Sequence, residues 1–175
     1  VIEPAGFTKE QFAKIREIKD GRGRIKKYME ATCKSKDAIY VTGDKSEDRR
    51  PWRKLGKGID VALPCATQNE INADDAAALI ASGVKFVAEG ANMPSDPDAI
   101  AKFKAVDKGF FIPAKAANAG GVAVSGLEMA QNSQRVEWSR EEVDKKLQGI
   151  MRHIFDTIKA TAIDLQAKDC VQTDY

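Results

Sequence analysis

The sequence predicts an α/β fold, part of a doubly wound parallel sheet that is followed by a long C-terminal helix. Three observations indicate this class. From residue 58 onward, short apolar runs alternate with helix-like segments, which is the rhythm of parallel strands joined by helical crossovers. Each apolar run is followed by a loop of small residues that contains an asparagine. The last long segment repeats its apolar residues at helical spacing.

The N-terminal part predicts helices and a loop. Thr8 and Gln11 form the pattern of a helix capping box ahead of apolar residues at helical spacing. A second helical stretch is predicted at 25–32. In the segment 42–51 one Gly, one Ser and six charged residues cluster, which predicts a surface loop. The chain begins with an apolar Val-Ile pair that resembles the tail of a strand, so we expect it to start within a fold.

The middle of the chain predicts two successive strand-helix units and a third strand. Asn72 and Asp96 are residue types preferred at helix N-caps, and Pro97 suits a first helical turn. The predicted elements are a strand at 59–63, a helix at 73–81, a strand at 84–88, a helix at 96–105 and a strand at 109–112. Parallel strands with right-handed crossovers bring their carboxyl ends to one edge of the sheet, where open α/β folds bind ligands.

Three loops follow the predicted strands, and we expect them to meet at that edge. They are the first loop, 64–69, the second loop, 89–94, and the third loop, 114–121. Gly and Ala let the backbone approach a flat ligand, whereas Asn and Thr supply donors and acceptors at fixed positions. Turn chemistry alone explains one such loop. Three of them at one edge instead favour a binding site for a ligand with a ribose and a carboxamide.

A further helix is predicted to begin after Gly120 and Gly121, near the same edge. Its first-turn N–H groups would favour an anion. Val122 and Ser125 are three residues apart, hence on one helix face, where they would present an apolar wall beside a hydroxyl. The spacing leaves a second interpretation open, in which Val122 belongs to the core and Ser125 is a small packing residue.

The last predicted element is a long amphipathic helix from Ser139 to about Ala167. The single histidine, His153, has no Cys or carboxylate at ligand spacing, so we interpret it as a helix-surface residue and predict no metal site. We divide the chain accordingly into a part that contains the sheet, 1–138, and the long helix with its tail, 139–175.

Composition and charge exclude several classes of protein. With 43% hydrophobic and 31% charged residues the chain resembles soluble globular proteins, and no apolar run is long enough to predict a membrane span. The net charge is only +2, and acidic residues surround the basic cluster between 19 and 27, so we predict a solvated face and no nucleic-acid partner. Three widely spaced cysteines fit a reducing compartment, and we expect a cytoplasmic location.

The three loops and the helix after them resemble the hexameric glutamate dehydrogenases of the shorter-subunit class. Three stretches carry the resemblance, in the same order and at the same spacing. They are ALPCATQNE at 62–70, VAEGANMP at 87–94 and KAANAGGVAVSGLEM at 115–129. The resemblance runs clearly from Pro51 to about Trp138 and more loosely over both flanks. It implies a Rossmann-like dinucleotide-binding domain, of which this chain would hold the nicotinamide side.

The resemblance also implies a reaction, a cofactor and partners. The enzyme would interconvert L-glutamate with 2-oxoglutarate and ammonium, would use NADP or alternatively NAD, and would form a homo-hexamer. The residues implied at the cofactor are Ala66, Thr67, Gln68, Gly90, Asn92 and Asn118. Those implied at the substrate are Gly121, Val122 and Ser125, with Ser125 reaching the side-chain carboxylate.

No catalytic residue is implied within this chain. The family's Gly-rich pyrophosphate turn, and its substrate domain with a catalytic lysine and aspartate, match nothing here, so we expect the chain alone to be an inactive fragment. Two other interpretations stay open. One is a related dehydrogenase for an apolar amino acid, against which Ser125 argues because a site built for a carboxylate rejects a substrate without one. The other is a non-catalytic dinucleotide-binding module.

Overall fold

The computed structural model describes residues 1–41 and 51–167. In chain order the elements are α1 (Lys9–Asp20), β1 (Val61–Ala62), α2 (Ala73–Ser82), β2 (Phe86–Ala88), α3 (Pro97–Lys104), β3 (Phe110–Ile112), α4 (Ala114–Ala117), α5 (Ala119–Gln134) and α6 (Arg140–Ala167). Two short 3₁₀ helices, Ile25–Glu30 and Pro51–Lys54, precede the sheet. The predicted surface loop, apart from its last residue Pro51, and the tail after residue 167 lie outside the described residues.

The three strands form one parallel sheet in the order β1-β2-β3, which confirms the predicted fold class. Val61 pairs with Phe86, and Phe86 pairs in turn with Phe110. The strands are shorter than predicted because backbone groups at their ends bond outside the ladder. For example, the N–H of Ile59 donates to the carbonyl of Ser82 at 3.2 Å, so β1 does not begin until Val61.

Helices α2 and α3 connect successive strands and pack against each other over one face of the sheet. The core of this layer is apolar and draws on both strands and helices. Its members are Ala62, Val87, Phe111, Ile71, Ala76, Leu79, Val84, Ala99 and Phe103. The predicted caps are confirmed: the Asn72 side chain accepts from the second and third residues of α2, and Asp96 accepts from Ala99 at 2.7 Å. These caps fix where each helix starts relative to the loop before it.

The opposite face of the sheet carries a second row of apolar side chains. Val61, Phe86 and Phe110 lie in register across the three strands and are 47% to 50% exposed. The rings of Phe86 and Phe110 stack with their centroids 5.1 Å apart. A doubly wound sheet is covered by helices on both faces. In the described part of the chain, α2 and α3 provide this cover for one face.

The N-terminal part packs around Tyr28, which is fully buried. The Tyr28 hydroxyl donates to the buried carboxylate of Glu3 at 2.6 Å, and burial together with this carboxylate raises the pKa of Tyr28. The capping box predicted at Thr8 and Gln11 is confirmed. The helix predicted at 25–32 is wrong in type and length. The chain forms a 3₁₀ helix that ends at Glu30, because the next residue is extended and bonds back only three residues.

Helices α5 and α6 pack against each other at the end of the described chain. The helix predicted from Ser139 begins at Arg140, because Ser139 caps it. The Ser139 hydroxyl accepts from the Glu142 N–H at 3.2 Å, and the Glu142 carboxylate accepts from the Ser139 N–H at 2.7 Å. His153 is exposed on the helix surface, as predicted. The division at Trp138 into two parts stays a prediction, and the contacts between α5 and α6 cross it.

Three broader features concern possible partners. Within 1–41 and 51–167, no helix is long and apolar enough to cross a membrane. Over the same ranges, no group of three or more His, Cys, Asp or Glu side chains could hold a metal ion. The basic residues between Lys19 and Lys27 are exposed to solvent, as predicted for a solvated face.

Candidate functional site

The first and second loops are joined by backbone hydrogen bonds at the carboxyl edge of the sheet. The carbonyl of Pro64 accepts from the N–H groups of Gly90 and Ala91, at 2.9 and 3.0 Å. Farther along, the N–H of Asn69 donates to the carbonyl of Met93 at 3.0 Å. The predicted meeting of these two loops is therefore confirmed, and it rests on backbone groups that any sequence would carry.

Asn69 and Met93 also share a left-handed backbone conformation, with φ of 53° and 49°. Asparagine tolerates this region better than most residues, whereas methionine carries the steric cost of its Cβ there. The hydrogen bond between the two residues helps to hold both turns in place. The ends of the first and second loops are consequently two turns joined by one backbone hydrogen bond.

Gly90 is required by a close approach between the first and second loops. A Cβ atom on Gly90 would lie 2.5 Å from the Sγ atom of Cys65 and 3.5 Å from its Cβ. Cys65 is a free and exposed thiol. The absence of a side chain at Gly90 thus lets the two loops lie in direct contact beside Asn92.

We expect Gly90→Ala to displace the Cys65 side chain and to weaken cofactor binding in the complete protein by about 1 kcal/mol, the usual cost of an off-rotamer side chain. The double variant Gly90→Ala with Cys65→Ala should recover most of the loss, because the contacts that remain, at 3.5 and 3.7 Å, are ordinary ones. Fluorescence titration with NADPH measures both effects. If Cys65→Ala rescued nothing, the contact with the thiol would not be the reason for glycine.

The second and third loops are joined by side chains. The Glu89 carboxylate is 3% exposed, and it accepts from the N–H of Ser95 at 3.2 Å and from the N–H of Ala114 at 2.9 Å. The Asn118 side-chain amide donates to the carbonyl of Ala91 at 3.3 Å. The prediction of a loop at 114–121 is wrong in type, because α4 covers 114–117 and α5 already begins at Ala119. This segment, still called the third loop below, meets the second loop in two places.

The side chain of Glu70 forms a hydrogen bond with the backbone of the first loop. Its Oε1 atom accepts from the N–H of Ala66 at 3.2 Å. Burial raises the pKa of Glu70, although hydrogen bonds from the Ala66 and Thr67 N–H groups oppose this shift. A carboxylate in this position holds the backbone of the residues that were predicted to lie along the cofactor.

The six residues predicted at the cofactor are brought together by these contacts. Five of them are exposed at the joined loops, namely Ala66, Thr67, Gln68, Gly90 and Asn92, and Asn118 is half-buried between the second loop and α5. Exposed small and amide side chains on a rigid backbone surface can hydrogen-bond a planar ligand without rearranging. These residues therefore lie on joined loops, and their role at a cofactor stays a prediction.

The three residues predicted at the substrate lie in the first two turns of α5. Gly121, Val122 and Ser125 are all exposed, and Val122 is 72% exposed. Val122 therefore does not belong to the core of the described residues, and the roles of the three residues at a substrate stay predictions. Val122 and Ser125 instead present a free face next to Asn118, which precedes α5 directly.

Sequence reasoning missed the two carboxylates that shape the loops. Glu70 and Glu89 lie within the stretches that carry the family resemblance, but nothing in their spacing indicates which backbone amides they meet. One signal was available for Glu89, since a charged residue directly after an apolar strand is rarely buried without hydrogen-bond partners.

Comparisons with known proteins extend over nearly the whole chain. A family model described as glutamate/leucine/phenylalanine/valine dehydrogenase matches residues 1–174. The NADP-specific glutamate dehydrogenase of Penicillium chrysogenum is 49% identical over 167 residues, which cover 91% of this chain and 35% of that protein. The NAD(P)-specific glutamate dehydrogenase of Xylanibacter ruminicola is 50% identical over 155 residues, covering 88% of this chain and 32% of that protein.

A solved structure agrees with the sequence matches. The crystal structure of Plasmodium falciparum glutamate dehydrogenase superposes with a TM-score of 0.71 at 43% identity, covering 94% of this chain and 33% of that chain. The chain spans about a third of the length of the curated relatives it matches.

Proposed function

The chain belongs to the glutamate/leucine/phenylalanine/valine dehydrogenase family, and from this premise we propose that it forms the nicotinamide side of an NADP-dependent glutamate dehydrogenase. The complete enzyme would convert L-glutamate reversibly into 2-oxoglutarate and ammonium. The observation that carries the proposal is the joining of the three loops into one surface that ends at the free face of α5. NADP is favoured over NAD because the Penicillium chrysogenum relative is named as NADP-specific.

The loops fit a nicotinamide nucleotide. The lack of a side chain at Gly90 lets Cys65 of the first loop lie against the second loop, so that the two loops form one surface on which a flat ring could lie. The Asn118 amide uses its nitrogen on the carbonyl of Ala91, which leaves its oxygen to accept a hydrogen bond from a ligand carboxamide. Thr67, Gln68 and Asn92 offer further donors and acceptors for a ribose. The nicotinamide, when bound, supplies the hydride chemistry.

The face of α5 would hold the amino acid. Ser125 would donate its hydroxyl hydrogen to the distal carboxylate of glutamate, and Val122 would lie along the aliphatic part of the substrate. Gly121, directly before Val122, would keep the backbone there accessible. We assign no catalytic acid or base to the residues of this chain, so residues 1–175 alone would not turn over glutamate.

Two wider properties belong to the same proposal. The complete enzyme would assemble as a homo-hexamer, as the resemblance to hexameric glutamate dehydrogenases suggests. It would work in the cytoplasm, since Cys33 and Cys65 are free thiols at wide spacing and fit a reducing compartment.

A substrate panel tests the proposal against its two alternatives. The complete protein is supplied with NADP and with L-glutamate, L-leucine, L-phenylalanine or L-valine. We expect kcat/KM for glutamate to exceed that for each apolar amino acid by at least about a hundredfold. Faster turnover of an apolar amino acid would favour the related dehydrogenase. Binding of NADPH without turnover of any amino acid would favour the non-catalytic module.

A further inference from the structure

We propose that Glu89 is a positioning residue of this site, whose carboxylate fixes the second and third loops relative to each other and thereby places Asn92 and Asn118. The inference rests on the proposed function, because it concerns the residues assigned to the cofactor. Glu89 directly follows β2 and is 3% exposed. Its side chain is therefore buried and would act on a ligand only through the residues that it holds.

The two carboxylate oxygens have different partners. Oε1 accepts from the N–H of Ser95, which follows the second loop, and Oε2 accepts from the N–H of Ala114, which begins the third loop. Within 1–41 and 51–167, no lysine or arginine forms a salt bridge with Glu89. A buried carboxylate without a cation costs free energy unless hydrogen bonds compensate it. The two backbone amides provide that compensation, and hydrogen bonds to a charged acceptor are the stronger kind.

Each of the two backbone N–H groups lies near one of the asparagines in the chain, Ser95 near Asn92 and Ala114 near Asn118. Ala114 accepts at its carbonyl from the N–H of Asn118 at 2.8 Å, so a shift of Ala114 moves the asparagine at the end of α4. Ser95 lies three residues after Asn92, and its own hydroxyl is buried with no hydrogen-bond partner among the described residues. The Ser95 side chain therefore does not hold the residue in place. The backbone of Ser95 does so, and the hydrogen bond from its N–H to Glu89 is one of the contacts involved.

Glutamine is the informative replacement, because it keeps the shape of Glu89 and removes one acceptor. An amide oxygen can accept from one of the two N–H groups, but the amide nitrogen would then face the other as a second donor. Glutamine at position 89 would therefore keep its hydrogen bond to one of the two N–H groups, Ser95 or Ala114, and lose the other. The substitution should leave the core packing beneath the sheet unchanged.

We expect Glu89→Gln in the complete protein to raise the Kd for NADPH about fivefold, the effect of losing one ordinary hydrogen bond. Amide exchange at Ser95 or Ala114, measured by mass spectrometry without ligand, should become faster. In an Asn92→Ala background the same substitution should raise the Kd by a smaller factor, because part of its effect passes through Asn92. A purely structural residue would produce no such coupling.

Thr8→Ala is a control of comparable stability loss, since it removes the cap of α1 far along the chain from the three loops. It should lower the melting temperature without changing exchange at Ser95 and Ala114. If Glu89→Gln left exchange at both amides unchanged, or changed it without altering the Kd, the proposal would be overturned. The wild-type protein is titrated first. Its failure to bind any nicotinamide dinucleotide would overturn the proposed function, and a cofactor-positioning role for Glu89 with it.

Discussion

Replacing Ser125 by valine in the complete protein is expected to lower kcat/KM for glutamate by about ten- to a hundredfold, the contribution of a hydrogen bond to a charged group. Ser125 is exposed in the second turn of α5, on the same face as Val122. Valine has a similar size but donates no hydrogen bond, so the distal carboxylate would lose a donor. The affinity for NADP should change little.

The quantity to measure is the ratio of turnover with glutamate to turnover with norvaline, which lacks the distal carboxylate. Ser133→Val is a matched control, because Ser133 is exposed on the same helix two turns farther along. The ratio should fall in Ser125→Val and stay constant in Ser133→Val. An equal ratio in both variants would show that selection for glutamate is made elsewhere.

The second large effect concerns the ion pair between Arg53 and Asp75 at the start of α2. We expect Arg53→Met to lower the free energy of unfolding by about 3 kcal/mol, because it removes the cation from a buried carboxylate. Asp75 is fully buried, and its Oδ1 atom lies 2.7 Å from Nε of Arg53. Its Oδ2 atom accepts from the N–H of Asn72, so the same carboxylate also caps α2.

Urea denaturation of the complete protein measures this loss, and Lys14→Met provides the comparison. Lys14 pairs with Glu17 at 2.9 Å, but both side chains are well exposed. Exposed pairs of this kind contribute less than about 1 kcal/mol. If both variants lost the same free energy of unfolding, the burial of Asp75 would not strengthen the contribution of its ion pair to stability.

The parts of the fold that the sequence predicted correctly depend on local chemistry. Thr8, Asn72 and Asp96 cap their helices as expected, because a capping side chain reaches an amide only two or three residues away. The alternation of apolar runs with helices likewise predicted a parallel sheet. Since such a sheet has a single carboxyl edge, the meeting of the three loops followed from the topology.

The parts that were missed depend on contacts between distant residues. The segment at 25–32 became a short 3₁₀ helix around Tyr28, whose partner Glu3 lies far back along the chain. The strands shortened because their end residues bond outside the sheet. The roles of Glu70 and Glu89 became visible only when the loops were in place. No periodicity in the sequence records such tertiary partners.

Hydrogen exchange of the complete protein with and without saturating NADPH tests the central claim most directly. The claim is that the first, second and third loops together form the nicotinamide side of a cofactor site. Slower exchange is expected in all three loops, 64–69, 89–94 and 114–121, when NADPH is bound, with the exposed side of α3 serving as an unprotected internal reference. Protection confined to other segments, with the three loops exchanging at their unliganded rates while NADPH is demonstrably bound, would contradict the account.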